Sequence, residues 1–296
     1  MGKLPDYFGV SAFGIKMGVI VPGSDVVELA YESLVRCNDD GFLDDGDTIC
    51  ITESVVARAQ NNYVTVNEIS QHVSKKLNLK PDSKIGVVFP ILSRNRFSLI
   101  MKGIAAAVPE GYVVVQLLHP ADEVGNQILP DDFAQKTGKT NGEVISLEDI
   151  GEKRFHHPVT GVDYIELYQN IIQEQSRGST IFLSNDPLQI IKYNLDGVIV
   201  ANVHKRESTR EKLVERGQNV VTLQDLCNEG CSWSEWGLLG SNISSGDKLK
   251  LAPREADLVA QQLQAKVRQG LGKHIEVIVY GDGAYRDPST GIYELA

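Results

Sequence analysis

Apolar and polar side chains alternate from Ile275 to Tyr280, and β-branched residues dominate the run. This pattern predicts a strand. It stops at Gly281-Asp282-Gly283, where two glycines permit a tight turn and present Asp282 at the strand's C-terminal end. Upstream, Ala252, Ala256, Val259, Leu263 and Val267 form one apolar stripe. The spacing predicts a helix from Pro253 to about Gly270, with Glu255 and Asp257 in its first turn. An Asp-Gly turn can simply end a strand. The same carboxylate can also serve as a metal ligand, and both readings stay open at this point.

Residues 8–23 are apolar and punctuated by glycine, with Lys16 the one charge. Pro22-Gly23 then predicts a turn, and Ser24 a cap for a helix from about Asp25 to Cys37, buried through Val27, Leu29, Ala30, Leu34 and Val35. A loop closing on a helix N-terminus can bind phosphate through its amides. The glycine spacing here fits neither a Walker A nor a dinucleotide fingerprint, so a core strand and turn is the plainer reading. Asp44–Asp47 reads as a turn, Thr48–Thr52 as a buried strand containing Cys50, and Glu53–Gln60 as a helix. Thr52 stands at the strand-to-helix switch, where α/β proteins place ligand-binding groups and where a helix cap is also expected. A helix follows over VNEISQHVSKKL, then a strand over 85–90. Ser93-Arg94-Asn95-Arg96 would cap a helix at Phe97–Val108, with Arg94 and Arg96 suiting an anion as readily as a plain loop. The Lys102–Ala105 stretch of that helix is small enough for close packing.

Gly111–Leu118 is the most strand-like run in the chain, and it too delivers a carboxylate, Asp122, to a loop. Two carboxylates on the end loops of different strands can hold a divalent cation between them while leaving positions for phosphate oxygens. On this reading Asp122 and Asp282 share one cleft. From Lys136 the composition turns polar. Residues 162–223 then alternate helix and strand, with Ser208 and Glu211 in capping-box spacing, and Cys227–Lys250 reads as a returning linker. The expected fold class is mixed α/β (α+β): an interrupted core from residues 1–136 and 251–296, with 137–250 as an inserted small parallel α/β lobe.

Composition narrows the function classes. The 296 residues are 42% hydrophobic, enough for a substantial core, and the formal charge of −10 argues against a nucleic-acid or anionic-membrane surface. Four cysteines are too few and too scattered for a disulfide framework. Cys227 and Cys231 lack a second pair that would complete a zinc site. Sequence neighbours tend to point apart, so His156-His157 is expected to have a loop role ahead of metal ligation. The first residues lack a signal-peptide pattern and no run reaches transmembrane length, which makes a cytoplasmic protein the expectation.

Four patches together resemble the coenzyme F-420:L-glutamate ligase family, whose members add γ-linked glutamate to a 5-deazaflavin coenzyme. They are GIKMGVIVPGSD (14–25), DGDTICITESVVARAQ (45–60), ADEVGNQILPDD (121–132), and PREADLVAQQLQ with VIVYGDGAYRDP (253–264 and 277–288). The resemblance excludes 137–250. It implies GTP as phosphoryl donor, a divalent cation (Mg²⁺ or Mn²⁺), and an acyl phosphate attacked by the glutamate amine. It also implies nucleotide contacts at Ile15, Lys16, Met17, Gly18, Thr52, Glu53 and Asn126, and metal ligation by Asp122 and Asp282. It assigns no catalytic residue. Expected partners are GTP, L-glutamate and a carboxylate-bearing small-molecule acceptor, with a homodimer left open. The chain departs from the family at Glu53-Ser54, where a lysine is usual, and at Gly283, where threonine is usual. The Asp122–Asn126 spacing is one residue longer, and a further C-terminal segment is expected after Ala296. An amide ligase of the same chemistry on another acceptor is the alternative among enzymes, and the departures at Ser54, Gly283 and the C-terminal segment motivate a second alternative, a disabled nucleotide-binding relative.

Overall fold

The computed structural model describes residues 5, 7–140, 142–151, 156, 161–243, 246–281, 284–286 and 293–295. The helices are α1 (Val26–Asp39), α2 (Glu53–Ala59), α3 (Val66–Leu77), α4 (Phe97–Ala106), α5 (Phe133–Thr137), α6 (Leu147–Ile150), α7 (Tyr164–Gln173), α8 (Arg206–Val214) and α9 (Ala256–Leu271). The strands are β1 (Thr48–Thr52), β2 (Tyr63–Thr65), β3 (Lys84–Val88), β4 (Tyr112–Leu117), β5 (Gly178–Leu183), β6 (Gly197–Val200), β7 (Val220–Thr222), β8 (Asn242–Ile243), β9 (Lys248–Lys250), β10 (Glu276–Tyr280), β11 (Ala284–Arg286) and β12 (Tyr293–Leu295). The mixed α/β class expected from the sequence is what forms. No helix of the described residues is long and apolar enough to cross a membrane.

Two compact units divide the chain: Met1–Asn62 with Ala252–Gly283, and Tyr63–Leu251 with Ala284–Ala296. In the first, β1 and β10 pair in parallel, Thr48 opposite Glu276 and Thr52 opposite Tyr280. Val26, Ala30 and Leu34 of α1 and Leu263 and Val267 of α9 pack with Ile51 and Val56 on one side of this pair. The outward side stays open, so Cys50 is exposed. The expectation of a buried Cys50 fails because an apolar strand run does not reveal that one face lacks a covering layer. Helix α1 is capped by Asp25, whose side chain accepts from the Glu28 amide at 2.9 Å, and not by Ser24, whose hydroxyl accepts from the Val21 amide. Helix α9 starts only at Ala256. Ahead of it the Arg254 backbone is held by the Gln60 carboxamide in both directions, at 2.8 and 2.9 Å.

The second unit is built on a five-stranded parallel sheet of order β5-β4-β3-β6-β7. Chain order reverses between β3 and β6, which makes that gap the switch point of a doubly wound sheet. One face carries a core of Ile69, Val73, Phe97, Ile100, Tyr168 and Ile172 from α3, α4 and α7. The other is covered by Ile190 of the 3₁₀ turn Pro187–Tyr193 and Leu213 of α8. Such double coverage explains why β3 and β4 read as near-continuous Val and Ile runs. The small antiparallel sheet β2-β9-β8 belongs to this unit too. The expected insertion at 137–250 is therefore corrected. Strand β5 pairs with β4, β6 with β3 and β7 with β6, so 137–250 completes one sheet with residues 84–117. Units meet in sequence at 62/63, 251/252 and 283/284. Polar composition after Lys136 marks a surface excursion between β4 and β5, and no domain border.

Candidate active site

In the first unit the loop through Ile15–Gly18 precedes α1. Met17 and Ile20 turn onto the core of α1, α2 and α9, while Ile15, Lys16 and Gly18 are exposed. Gly18 has a φ of 89° and Gly23 of 87°, values that side chains with a Cβ rarely adopt. The Gly23 amide closes the loop on the Ala59 carbonyl at 2.7 Å.

Thr52 ends β1 and is the N-cap position of α2, but its side chain makes no capping hydrogen bond. Parallel pairing sets Thr52 beside Tyr280, so Glu53 and Gly281 follow at neighbouring strand ends. The Glu53 carboxylate fills the space next to Gly281: a Cβ there would stand 1.9 Å from Glu53 Cδ and 2.2 Å from Oε2. A side chain at 281 would oblige the Glu53 carboxylate to swing aside. Asp282 itself lies outside the described residues. The Thr52-Glu53 end of β1 therefore lies beside the Tyr280-Gly281 end of β10.

In the second unit Asp122 and Asn126 sit in a tight hairpin after β4. The hairpin is closed by the Asp122 amide on the Asn126 carbonyl at 3.0 Å and by the Gly125 amide on the Asp122 carbonyl at 3.2 Å. Upstream, the Asn185 carboxamide accepts from the His119 amide at 3.0 Å and donates to its carbonyl at 2.7 Å. Asp122 is 8% exposed. Its Oδ1 accepts from the Val124 amide at 3.0 Å and the Asn126 amide at 2.8 Å. Its Oδ2 accepts from the Leu92 amide at 2.7 Å and Asn126 Nδ2 at 2.9 Å. Four donors are about what one carboxylate can accept.

That saturation bears on a metal. A cation on Asp122 would have to displace the Asn126 amide or a backbone N–H, and among the described residues no three Asp, Glu, His or Cys side chains gather in a metal-ligating group. Among the described residues Asp122 therefore reads as the organiser of its loop.

Sequence reasoning missed two neighbours. Tyr168 of α7 donates to the Ile91 carbonyl at 2.6 Å and accepts from the Ser93 amide at 3.1 Å, fixing the loop after β3. Burial pushes its phenol well up, so it stays neutral. Its only sequence signal was a tyrosine on the apolar face of a helix. Glu123, next to Asp122, accepts from the amides of Val203, His204 and Lys205. Arg96, expected to suit an anion, instead donates its guanidinium to the carbonyls of Leu238 and Leu239.

The family model of F420-0:gamma-glutamyl ligase matches residues 14–296. The chain belongs to this family. No curated protein matches it. The span matched to the γ-glutamyl ligase family includes residues of both units. Membership implies γ-glutamyl ligase activity of the kind found in F420 biosynthesis, with F420-0 and glutamate as the substrates.

Proposed function

We propose that this chain is a GTP-dependent ligase that joins glutamate to the carboxylate of a deazaflavin-type acceptor. The observation that carries the reading is the family match across residues 14–296. In the proposed reaction an acceptor carboxylate oxygen attacks the γ-phosphorus of GTP, giving an acyl phosphate and GDP. The glutamate amine then attacks the acyl carbon, the C–O bond to phosphate breaks, and the amine proton leaves with solvent or phosphate. The divalent cation arrives with the triphosphate as its counter-ion. Asp282 is the carboxylate assigned to it. Nucleotide contacts are assigned to the Ile15–Gly18 loop and Thr52-Glu53 in the first unit. Asn126 in the second is assigned separately.

The saturated Asp122 carboxylate supports a second reading, a relative that binds nucleotide without turnover. Calorimetry of GTP with and without Mg²⁺ or Mn²⁺, alongside phosphate release in the presence of glutamate and a deazaflavin carboxylate, separates the two. Cation-dependent binding with glutamate-dependent release is expected. Binding without release leaves the second reading, and absence of binding in either condition sinks both.

A further inference from the structure

Glu123 bridges parts of the second unit that the sheet topology leaves apart. Its Oε1 accepts from the Lys205 amide at 3.1 Å and Asn202 Nδ2 at 3.3 Å. Its Oε2 accepts from the amides of Val203 and of His204, the latter at 3.3 Å. These amides form the turn between β6 and α8, at the positive end of the α8 dipole, where a carboxylate is favoured. Asp122, one residue earlier, faces the other way and takes the Leu92 amide from the turn between β3 and α4. Strands β3 and β6 flank the switch point. Two consecutive carboxylates therefore tie the 121–127 hairpin to both sides of the gap where doubly wound sheets usually receive ligands.

We propose that Glu123 is a positioning residue: it clamps the 121–127 hairpin onto the amino end of α8 and thereby fixes Asn126. The clamp stands on geometry alone, while its service to Asn126 rests on the nucleotide role proposed above. Asp122 orients Asn126 directly, through Nδ2 at 2.9 Å and the amide at 2.8 Å. Glu123 acts through Asp122 by holding the hairpin that carries both.

The test is Glu123→Gln, which keeps the shape but turns an NH₂ group toward backbone donors. Amide hydrogen exchange of the nucleotide-free protein, read by mass spectrometry, should quicken about 10-fold or more in segments 121–127 and 202–206, as loss of a charge-assisted bond predicts. Protection of β3 and β4 should persist, which is the folding control. In turnover, KM for GTP should rise about 10-fold with kcat nearly unchanged, because a displaced Asn126 weakens nucleotide binding in ground and transition state alike. Unchanged exchange in either segment overturns the clamp. Faster exchange with an unchanged KM overturns the positioning role. A wild-type chain that binds no GTP overturns the ligase reading and leaves the clamp to be judged by exchange alone.

Discussion

Replacing Gly103 by alanine opposes two effects on one helix. Alanine is the better helix former, by about 1 kcal/mol in a helix interior. A Cβ at Gly103 would, however, stand 2.5 Å from Ile69 Cγ2, 2.6 Å from Ile69 Cβ and 3.2 Å from the Val66 carbonyl oxygen. Carbon atoms rest at about 3.5–4.0 Å, so the overlap is about 1 Å. Rotating Ile69 relieves only the Cγ2 contact, since Cβ is fixed by the backbone of α3. That helix is itself held by the Thr65–Glu68 capping box and by buried Ile69, Val73 and Leu77. The pair must move apart, and overpacking of this kind costs about 1–3 kcal/mol. With the upper half of that range against the helix gain, the net loss is about 1–2 kcal/mol. Both tryptophans, Trp233 and Trp236, lie in the unit that contains α3 and α4, so their fluorescence follows the right transition. For a urea slope of about 2 kcal/mol per molar, the midpoint should fall by about 0.5–1 M with the slope unchanged. A midpoint equal to or above wild type would show that α3 and α4 are not in the contact described.

Tyr168→Phe should cost about 1–3 kcal/mol, because it leaves the Ile91 carbonyl and Ser93 amide without their buried partner. A urea midpoint within error of wild type would remove Tyr168 from the account of that loop. Burial pushes the Cys227 thiol up to about 12 from 9.0, with the Glu68 charge adding a smaller rise. The folded value lies above the unfolded one, so the contribution to stability is complete below about pH 9 and is lost as pH climbs toward about 12. At about pH 8 a thiol reagent should therefore label exposed Cys50 and Cys231 in the folded protein and Cys227 only in urea; native-state labelling of Cys227 would contradict its burial.

What could be read from the sequence followed the range of the interaction that decides each feature. Helix α3 is capped by Thr65 and Glu68, three residues apart, and its span over VNEISQHVSKKL matches the expectation residue for residue. Helix α8 was expected to begin at Ser208 with a local capping box. It begins at Arg206 because Glu123, some eighty positions earlier, supplies acceptors to the amides that precede it, and no local window contains that carboxylate. The same reason accounts for the boundary at 136/137. Parallel strands β3, β4, β5 and β6 were each visible as apolar runs, but their order across the sheet is set by long-range pairing, so a single sheet read as a core plus a lobe. At the candidate site, the strand ends at Thr52 and Tyr280 were each legible from their own apolar runs, but their adjacency is set by long-range parallel pairing that no local pattern contains. The role of Asp122 was not legible either. A carboxylate on a loop offers itself equally to a cation and to backbone amides, and the choice depends on whether four donors converge on it. Here two of them come from the Asn126 backbone and side chain and a third from Leu92, thirty residues away. Hydrogen bonds that already satisfy both oxygens raise the cost of a cation by the full loss of at least one of them. The chemistry assigned to a carboxylate in this fold is therefore decided by donor count and not by its place at the end of a strand.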